Sequence, residues 1–136
     1  MRSAANRWLG RALLTASIVL SAAGQLGMKA GMQELHALGA RGVAPMAAAW
    51  SELAPTVTWT VGGLTAYGLS LLCWLAVLVR YPLSYAYPLL GLAYVIVYVG
   101  ATHWERLAEP ASALRTGGTL LILAGVALVT VADRRR

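Results

Sequence analysis

The sequence predicts an all-α membrane protein, a bundle of four transmembrane helices with both termini in the cytoplasm. Four long stretches contain no Asp, Glu, Lys or Arg: Ala12–Met28, Leu53–Val79, Tyr81–Trp104 and Thr116–Ala132, of 17, 27, 24 and 17 residues. A bilayer core takes about 20 apolar helical residues to cross. The composition agrees, since 59% of the residues are hydrophobic, 12% are charged and the mean hydropathy is +0.66.

The 136-residue chain leaves little mass outside these stretches, so we expect a single domain over residues 1–136 and no enzyme activity. The lone cysteine, Cys73, cannot form an intrachain disulfide, and no Cys/His cluster has the spacing of a metal site. We therefore expect neither a metal nor a cofactor. The excess of arginine beside the spans favours anionic lipid headgroups as partners, and not nucleic acid.

The basic residues predict the orientation of the chain. Seven fall on the side of the two termini: Arg2, Arg7, Arg11, Arg80, Arg134, Arg135 and Arg136. Four fall on the other side: Lys29, Arg41, Arg106 and Arg115. Because cytoplasmic loops carry the excess of Lys and Arg, this asymmetry places both termini in the cytoplasm.

The first span is predicted at about residues 10–30 and is followed by an outer loop, residues 31–56. Helical spacing of apolar residues on both sides of Gly39, Gly42 and Pro45 fits two short amphipathic helices, and a mobile loop fits equally well. Arg2–Gly24 also resembles a secretory signal, but the helical pattern that continues to Met28 favours an uncleaved helix.

The second and third spans, at about residues 57–79 and 83–103, are separated by a very short turn. Pro82 lacks an N–H and disfavours helical geometry at Tyr81, so it ends the preceding helix. Arg80, in this turn, is a candidate substrate-binding residue. Pro88 falls inside the third span, where it is either a fixed kink or a hinge with a free carbonyl.

A polar stripe runs along the first span. Ser17, Ser21, Gln25 and Lys29 are spaced by four residues and so share one helix face. Such groups are costly in lipid, which favours a bundle interior or a water-filled groove that binds an anionic headgroup. The alternative is structural, with hydrogen bonds to neighbouring helices and Lys29 extended to the surface.

Two further patterns lie in the third and fourth spans. Tyr87, Tyr94 and Tyr98 share a face that can either line a groove for a lipid substrate or pack against other helices. The fourth span, about residues 115–132, contains Gly118 and Gly125 at heptad spacing, which permits close approach of two helices. We expect these glycines at a dimer interface, although the spacing does not show whether the partner helix belongs to the same chain.

The loop after the third span, His103–Pro110, carries two carboxylates, a guanidinium and an imidazole. The predicted orientation puts this loop at the same membrane face as Lys29. A headgroup with both signs of charge would suit that combination, with Glu105 as the candidate carboxylate. A solvated loop, with Glu109 favourable to the start of the fourth helix, explains the same residues.

Several segments resemble one family of membrane proteins. These segments are Ser21–Lys29, Cys73-Trp74, Leu83–Leu90, Tyr94–Val97, Trp104-Glu105 and Gly117–Gly125. Together they are similar to the small multidrug resistance-like subunits that flip undecaprenyl phosphate–aminoarabinose in Gram-negative bacteria, within the drug/metabolite transporter superfamily. The resemblance covers nearly the whole chain, and Gln25/Lys29 and Trp104-Glu105 are its more specific parts.

The resemblance implies a flippase subunit that moves a lipid-linked amino sugar across the inner membrane, for lipid A modification and resistance to cationic peptides. It implies that Lys29 binds the phosphate and Glu105 the ammonium, with Gln25 and Ser21 beside them. The partner would be a second copy or a similar small subunit.

The alternative is a proton-coupled exporter of cationic compounds, which resembles this chain in size and span number. Those exporters carry an embedded Glu in the first helix, and Ala12–Met28 contains no acidic residue. This departure makes a proton-coupled site doubtful and puts the flippase first. A purely structural membrane subunit is the third possibility.

Overall fold

The computed structural model describes residues 4–42, 49–105, 107, 110 and 112–133, without the side chains of residues 4–7 and 133. This part of the chain forms four helices: α1 (Ala4–Ala40), α2 (Trp50–Leu78), α3 (Leu83–His103) and α4 (Ala113–Asp133). Each is long and apolar enough to cross a membrane, which confirms the predicted all-α, four-helix membrane fold. The cytoplasmic placement of the termini stays a prediction, because the helices alone do not define it.

The first helix extends well beyond its predicted span. α1 has 37 residues and at 1.5 Å per residue is about 55 Å long, compared with about 30 Å for a bilayer core. Residues 31–40, predicted as the start of the outer loop, therefore continue the helix until Gly42, whose φ of 76° ends it. Met46 and the rest of residues 43–48 lie outside the described residues, and the membrane limits of the spans stay predictions.

The second helix begins at Trp50, also within the predicted loop. The backbone N–H of Ala49 donates to Glu52 Oε2 at 3.1 Å, a capping interaction that satisfies one of the amide groups at the start of the helix. α2 and α3 are joined by the short turn that the sequence predicts. In this turn the backbone N–H groups of Arg80 and Tyr81 both donate to the Val77 carbonyl oxygen, at 2.8 and 2.9 Å. Pro88 lies within α3, as predicted.

α1 packs against both α2 and α3, while α4 packs against α3. Gly10 lies beside the Tyr81 ring and Gly31 beside Thr60, so α1 and α2 are antiparallel. Leu14 near the start of α1 clusters with Ala86 of α3, and Ala30 farther along α1 clusters with Ala101, so α1 and α3 run parallel. The two ends of α1 therefore define two ends of the bundle.

α1 and α2 approach each other closely at glycines. A Cβ atom at Gly63 would lie 2.6 Å from the backbone nitrogen of Met28 and 2.7 Å from the carbonyl oxygen of Gly24. Only residues without a side chain allow backbones so near each other, the small-residue packing common in membrane helices.

Buried side chains form two clusters, one toward each end of the bundle. The first contains Leu14, Ile18, Ala22, Val77, Ala86 and Ala93. The second contains Ala30, Ala101 and Leu107, with Leu26, Trp59 and Trp104 packed around them. Trp59 and Trp104 meet edge to face with ring centroids 5.3 Å apart. We call the end that contains the second cluster the Lys29 end, because Lys29 precedes Ala30.

Candidate functional site

The structure brings Lys29 and Glu105 to the same end of the bundle. Ala30, next to Lys29, packs with Ala101 and Leu107 in the second cluster. Glu105 is exposed and lies between Ala101 and Leu107 in sequence, directly after the end of α3. Two residues 76 positions apart, with opposite charge, are therefore near one end of the same four-helix unit.

The polar stripe of α1 is partly bonded within itself. Gln25 Nε2 donates to Ser21 Oγ at 3.3 Å. Ser17 is 1% exposed, and its hydroxyl donates to the Leu14 carbonyl of the same helix at 2.8 Å. Ser17 thus has a local structural partner, while the Gln25 amide keeps a second N–H and its carbonyl oxygen for other groups.

The part of the stripe toward the Lys29 end lies beside the glycines that face α2. At about 100° per residue, Ser21, Gln25 and Lys29 are centred roughly 120° from Gly24, Gly27 and Gly31. All three stripe residues are half-buried. Half-burial on the flank of a helix fits side chains that meet a ligand or a second subunit while keeping contact with the bundle.

The three candidate tyrosines of α3, Tyr87, Tyr94 and Tyr98, have different surroundings. Tyr87 and Tyr94 are 63% and 61% exposed, and Tyr87 meets Trp74 edge to face with centroids 6.4 Å apart. The Tyr98 hydroxyl lies 2.6 Å from Thr116 Oγ1 of α4. Tyr87 and Tyr94 therefore remain available to a lipid, whereas Tyr98 joins α3 to α4.

Arg80 lies at the opposite end of the bundle from Lys29. Its Nη1 donates to the Ala76 carbonyl at 2.8 Å, and the adjacent Tyr81 packs against the first cluster. The structure therefore separates Arg80 from Lys29, Gln25 and Ser21, so these candidates do not form a single site within the chain.

The two glycines predicted at a dimer interface face away from the rest of the described chain. A Cβ atom at Gly118 or Gly125 would meet no atom of the described residues within 4 Å. The tight glycine packing within the chain is found between α1 and α2 instead. Gly118 and Gly125 thus stay available to a partner helix, and their role in a dimer stays a prediction.

One hydrogen bond at the Lys29 end was not predicted from the sequence. Gln33 Nε2 donates to the Leu107 carbonyl at 3.0 Å and so joins α1 to the loop that follows α3. Its sequence signal was the spacing of the stripe, since Gln33 follows Lys29 by four residues. Arg106 and Glu109 of the same loop lie outside the described residues.

Four apolar helices, one of them with a half-buried polar stripe, define a small multi-pass membrane protein. No family model matches the chain, and no solved structure matches it significantly. Three similar proteins each have the name probable 4-amino-4-deoxy-L-arabinose-phosphoundecaprenol flippase subunit ArnF. That of Shewanella sediminis is 39% identical over 125 residues, which are 88% of this chain and 86% of the relative.

The relative in Enterobacter sp. strain 638 is 36% identical over 119 residues, 88% of this chain and 92% of the relative. The one in Aeromonas hydrophila is 39% identical over 115 residues, 85% and 75% of the two chains. Our chain belongs to this family of ArnF-type flippase subunits. It is a multi-pass protein of the bacterial inner membrane.

Proposed function

We propose that this chain is one subunit of a flippase that translocates 4-amino-4-deoxy-L-arabinose-phosphoundecaprenol across the inner membrane, and that it is not an enzyme. The observation that carries the proposal is the similarity to proteins of that name along 85–88% of the chain. The residues at the Lys29 end are compatible with such a substrate, which has a phosphate, an amino sugar and a long isoprenoid chain.

The headgroup has both signs of charge, and the Lys29 end offers both. Lys29 binds the phosphate as a charged hydrogen-bond donor, and Glu105 binds the sugar ammonium. Gln25 and Ser21 continue the polar stripe below Lys29 and donate to the phosphate or sugar oxygens as the headgroup moves along α1. The exposed rings of Tyr87 and Tyr94 contact the isoprenoid chain.

Arg80 belongs to the other membrane face in this scheme. If both termini are cytoplasmic, Arg80 meets the phosphate on the cytoplasmic side and Lys29 meets it on the outer side. Four membrane-spanning helices are too few to enclose a path for this substrate, so we infer that the working unit is a dimer, with either a second copy or a similar small subunit. Gly118 and Gly125 of α4 contribute its interface.

The proton-coupled exporter remains less favourable. The four charge-free stretches contain no carboxylate to exchange protons within the membrane, and the similar proteins are named as lipid-linked sugar flippases.

The test uses proteoliposomes that contain the full chain, alone and together with a similar small subunit. Transfer of the amino-sugar lipid between leaflets is measured beside uptake of a quaternary ammonium dye. We expect lipid transfer without dye uptake. Proton-driven dye uptake without lipid transfer would overturn the proposal in favour of the exporter.

A further inference from the structure

The loop that contains Glu105 is attached to α1 through Gln33. The Gln33 amide nitrogen donates to the Leu107 carbonyl at 3.0 Å, a hydrogen bond between residues 74 positions apart. Leu107 is 3% exposed and packs with Ala30 and Ala101. Both the side chain and the backbone oxygen of Leu107 are therefore held against α1 at the Lys29 end.

The segment on the other side of Glu105 is also fixed. The Trp104 N–H donates to the Gly100 carbonyl at 2.9 Å, and the Leu107 N–H donates to the Trp104 carbonyl at 2.8 Å. Glu105 thus lies in a turn whose two ends are anchored, one to α3 and the other to α1 through Gln33. The Glu105 side chain itself is exposed.

Gln33 and Lys29 are separated by four residues of one continuous helix. Because a helix is stiff over one turn, the Gln33–Leu107 bond also sets the position of the Glu105 turn relative to Lys29. Loss of this bond would let the turn move without moving Lys29.

The environment of the Gln33 amide oxygen argues against a role in stability alone. Its carbonyl oxygen, Oε1, is buried and has no hydrogen-bond partner among the described residues. A buried acceptor without a partner is destabilising, whereas an apolar side chain of similar length would avoid that cost. Unlike an apolar residue, glutamine supplies an N–H group that donates to the Leu107 carbonyl oxygen.

We propose that Gln33 is a positioning residue that holds the Glu105 turn at a fixed place relative to Lys29 and thereby sets the preference for the amino-sugar lipid over the bare phosphate lipid. This inference rests on the proposed function. It differs from a contact role, because Gln33 reaches the headgroup only through Leu107 and the turn.

The test is a double-mutant cycle with the full chain in its working assembly. Binding of the amino-sugar lipid and of undecaprenyl phosphate is measured for wild type, Gln33→Leu, Glu105→Gln and the double variant. Gln33→Leu keeps the approximate size of the side chain but removes both the donor and the unpartnered oxygen. The matched control is Thr56→Val. It removes a different buried oxygen without a partner among the described residues, the Thr56 hydroxyl on α2 beside Gly31.

We expect Gln33→Leu to lower the ratio of amino-sugar lipid binding to bare lipid binding by about two- to tenfold, the effect of one hydrogen bond. Thr56→Val should leave that ratio unchanged. The double variant should show the same ratio as Glu105→Gln, because two residues that act through one group are not additive.

The outcomes separate this inference from the function on which it rests. If wild type does not prefer the amino-sugar lipid, the proposed function and the inference both fail. If wild type and Glu105→Gln differ as expected but Gln33→Leu has the wild-type ratio, only the role of Gln33 is overturned. Equal losses for both lipids, or additive losses in the double variant, would also overturn it.

Discussion

Gly63→Ala should destabilise the bundle, although alanine is normally the better helix former. The added methyl carbon would lie 2.6 Å from Met28 N, 2.7 Å from Gly24 O and 3.0 Å from the Gly27 carbonyl carbon. All three are backbone atoms of α1, which cannot rotate away. Ordinary van der Waals contact needs at least 3.4 Å, so α1 and α2 must separate by several tenths of an ångström.

The magnitude follows from two opposing effects. Replacing glycine by alanine within a helix stabilises the folded state by about 0.5–1 kcal/mol, whereas overpacking a tight interface destabilises it by about 1–3 kcal/mol. We expect a net loss of about 1–2 kcal/mol for Gly63→Ala. Gly62→Ala is the matched control, because a Cβ atom at Gly62 meets nothing within 4 Å in the described structure. It should be neutral or slightly stabilising.

The measurement is the free energy of unfolding in mixed detergent micelles, followed by circular dichroism. The two adjacent variants share composition, helix and depth, so their difference isolates the α1–α2 contact. Equal stability of Gly63→Ala and Gly62→Ala would refute the close approach of the two helices.

Lys29→Ala should reduce amino-sugar lipid transfer by about ten- to a hundredfold, the effect of losing one charged hydrogen bond, while Lys29→Arg retains part of it. Insertion checked by fractionation should be normal, and undiminished transfer in the Ala variant would contradict the phosphate role. Glu105→Gln should weaken binding of the amino-sugar lipid more than that of bare undecaprenyl phosphate, because only the former has an ammonium group. Equal losses of affinity for the two lipids would show that Glu105 has a structural role. Gly118→Leu and Gly125→Leu should reduce dimer crosslinking in membranes by preventing close approach of two α4 helices. Neither glycine packs against another part of the described chain, so crosslinking at the wild-type level in both variants would show that α4 is not part of the dimer interface.

The unexpected length of α1 has a local explanation. The sequence predicts a loop from residue 31 because the charge-free stretch ends at Met28 and polar residues follow. Polarity marks where a helix leaves the membrane, but it does not end the helix, and no proline interrupts residues 31–40. The helix continues until Gly42 takes a positive φ. Lys29 and Gln33 consequently lie on one rigid element, on which the inference about Gln33 depends.

The partners of the glycines could not be predicted from the sequence. Heptad spacing predicts that Gly118 and Gly125 contact another helix, but spacing within one helix does not show which helix lies opposite. Gly24 and Gly27 acquire their role only because Gly63 of α2 faces them, and Gly31 because Thr60 of α2 lies opposite. That pairing depends on how two distant segments are rotated about their axes, which periodicity within a single segment does not determine.

The sequence by itself determined the number of helices, their order, the short turn at Arg80–Pro82 and the polar face of the first helix. These follow from apolar length, from proline stereochemistry and from the 3.6-residue period, which are properties of adjacent residues. Only the tertiary structure decided that Gln33 bonds to Leu107, that Tyr98 joins α4 while Tyr87 and Tyr94 stay exposed, and that Arg80 lies far from Lys29 along the bundle. Those contacts join residues far apart in the chain, and packing against several helices at once selects among the faces that each helix could present.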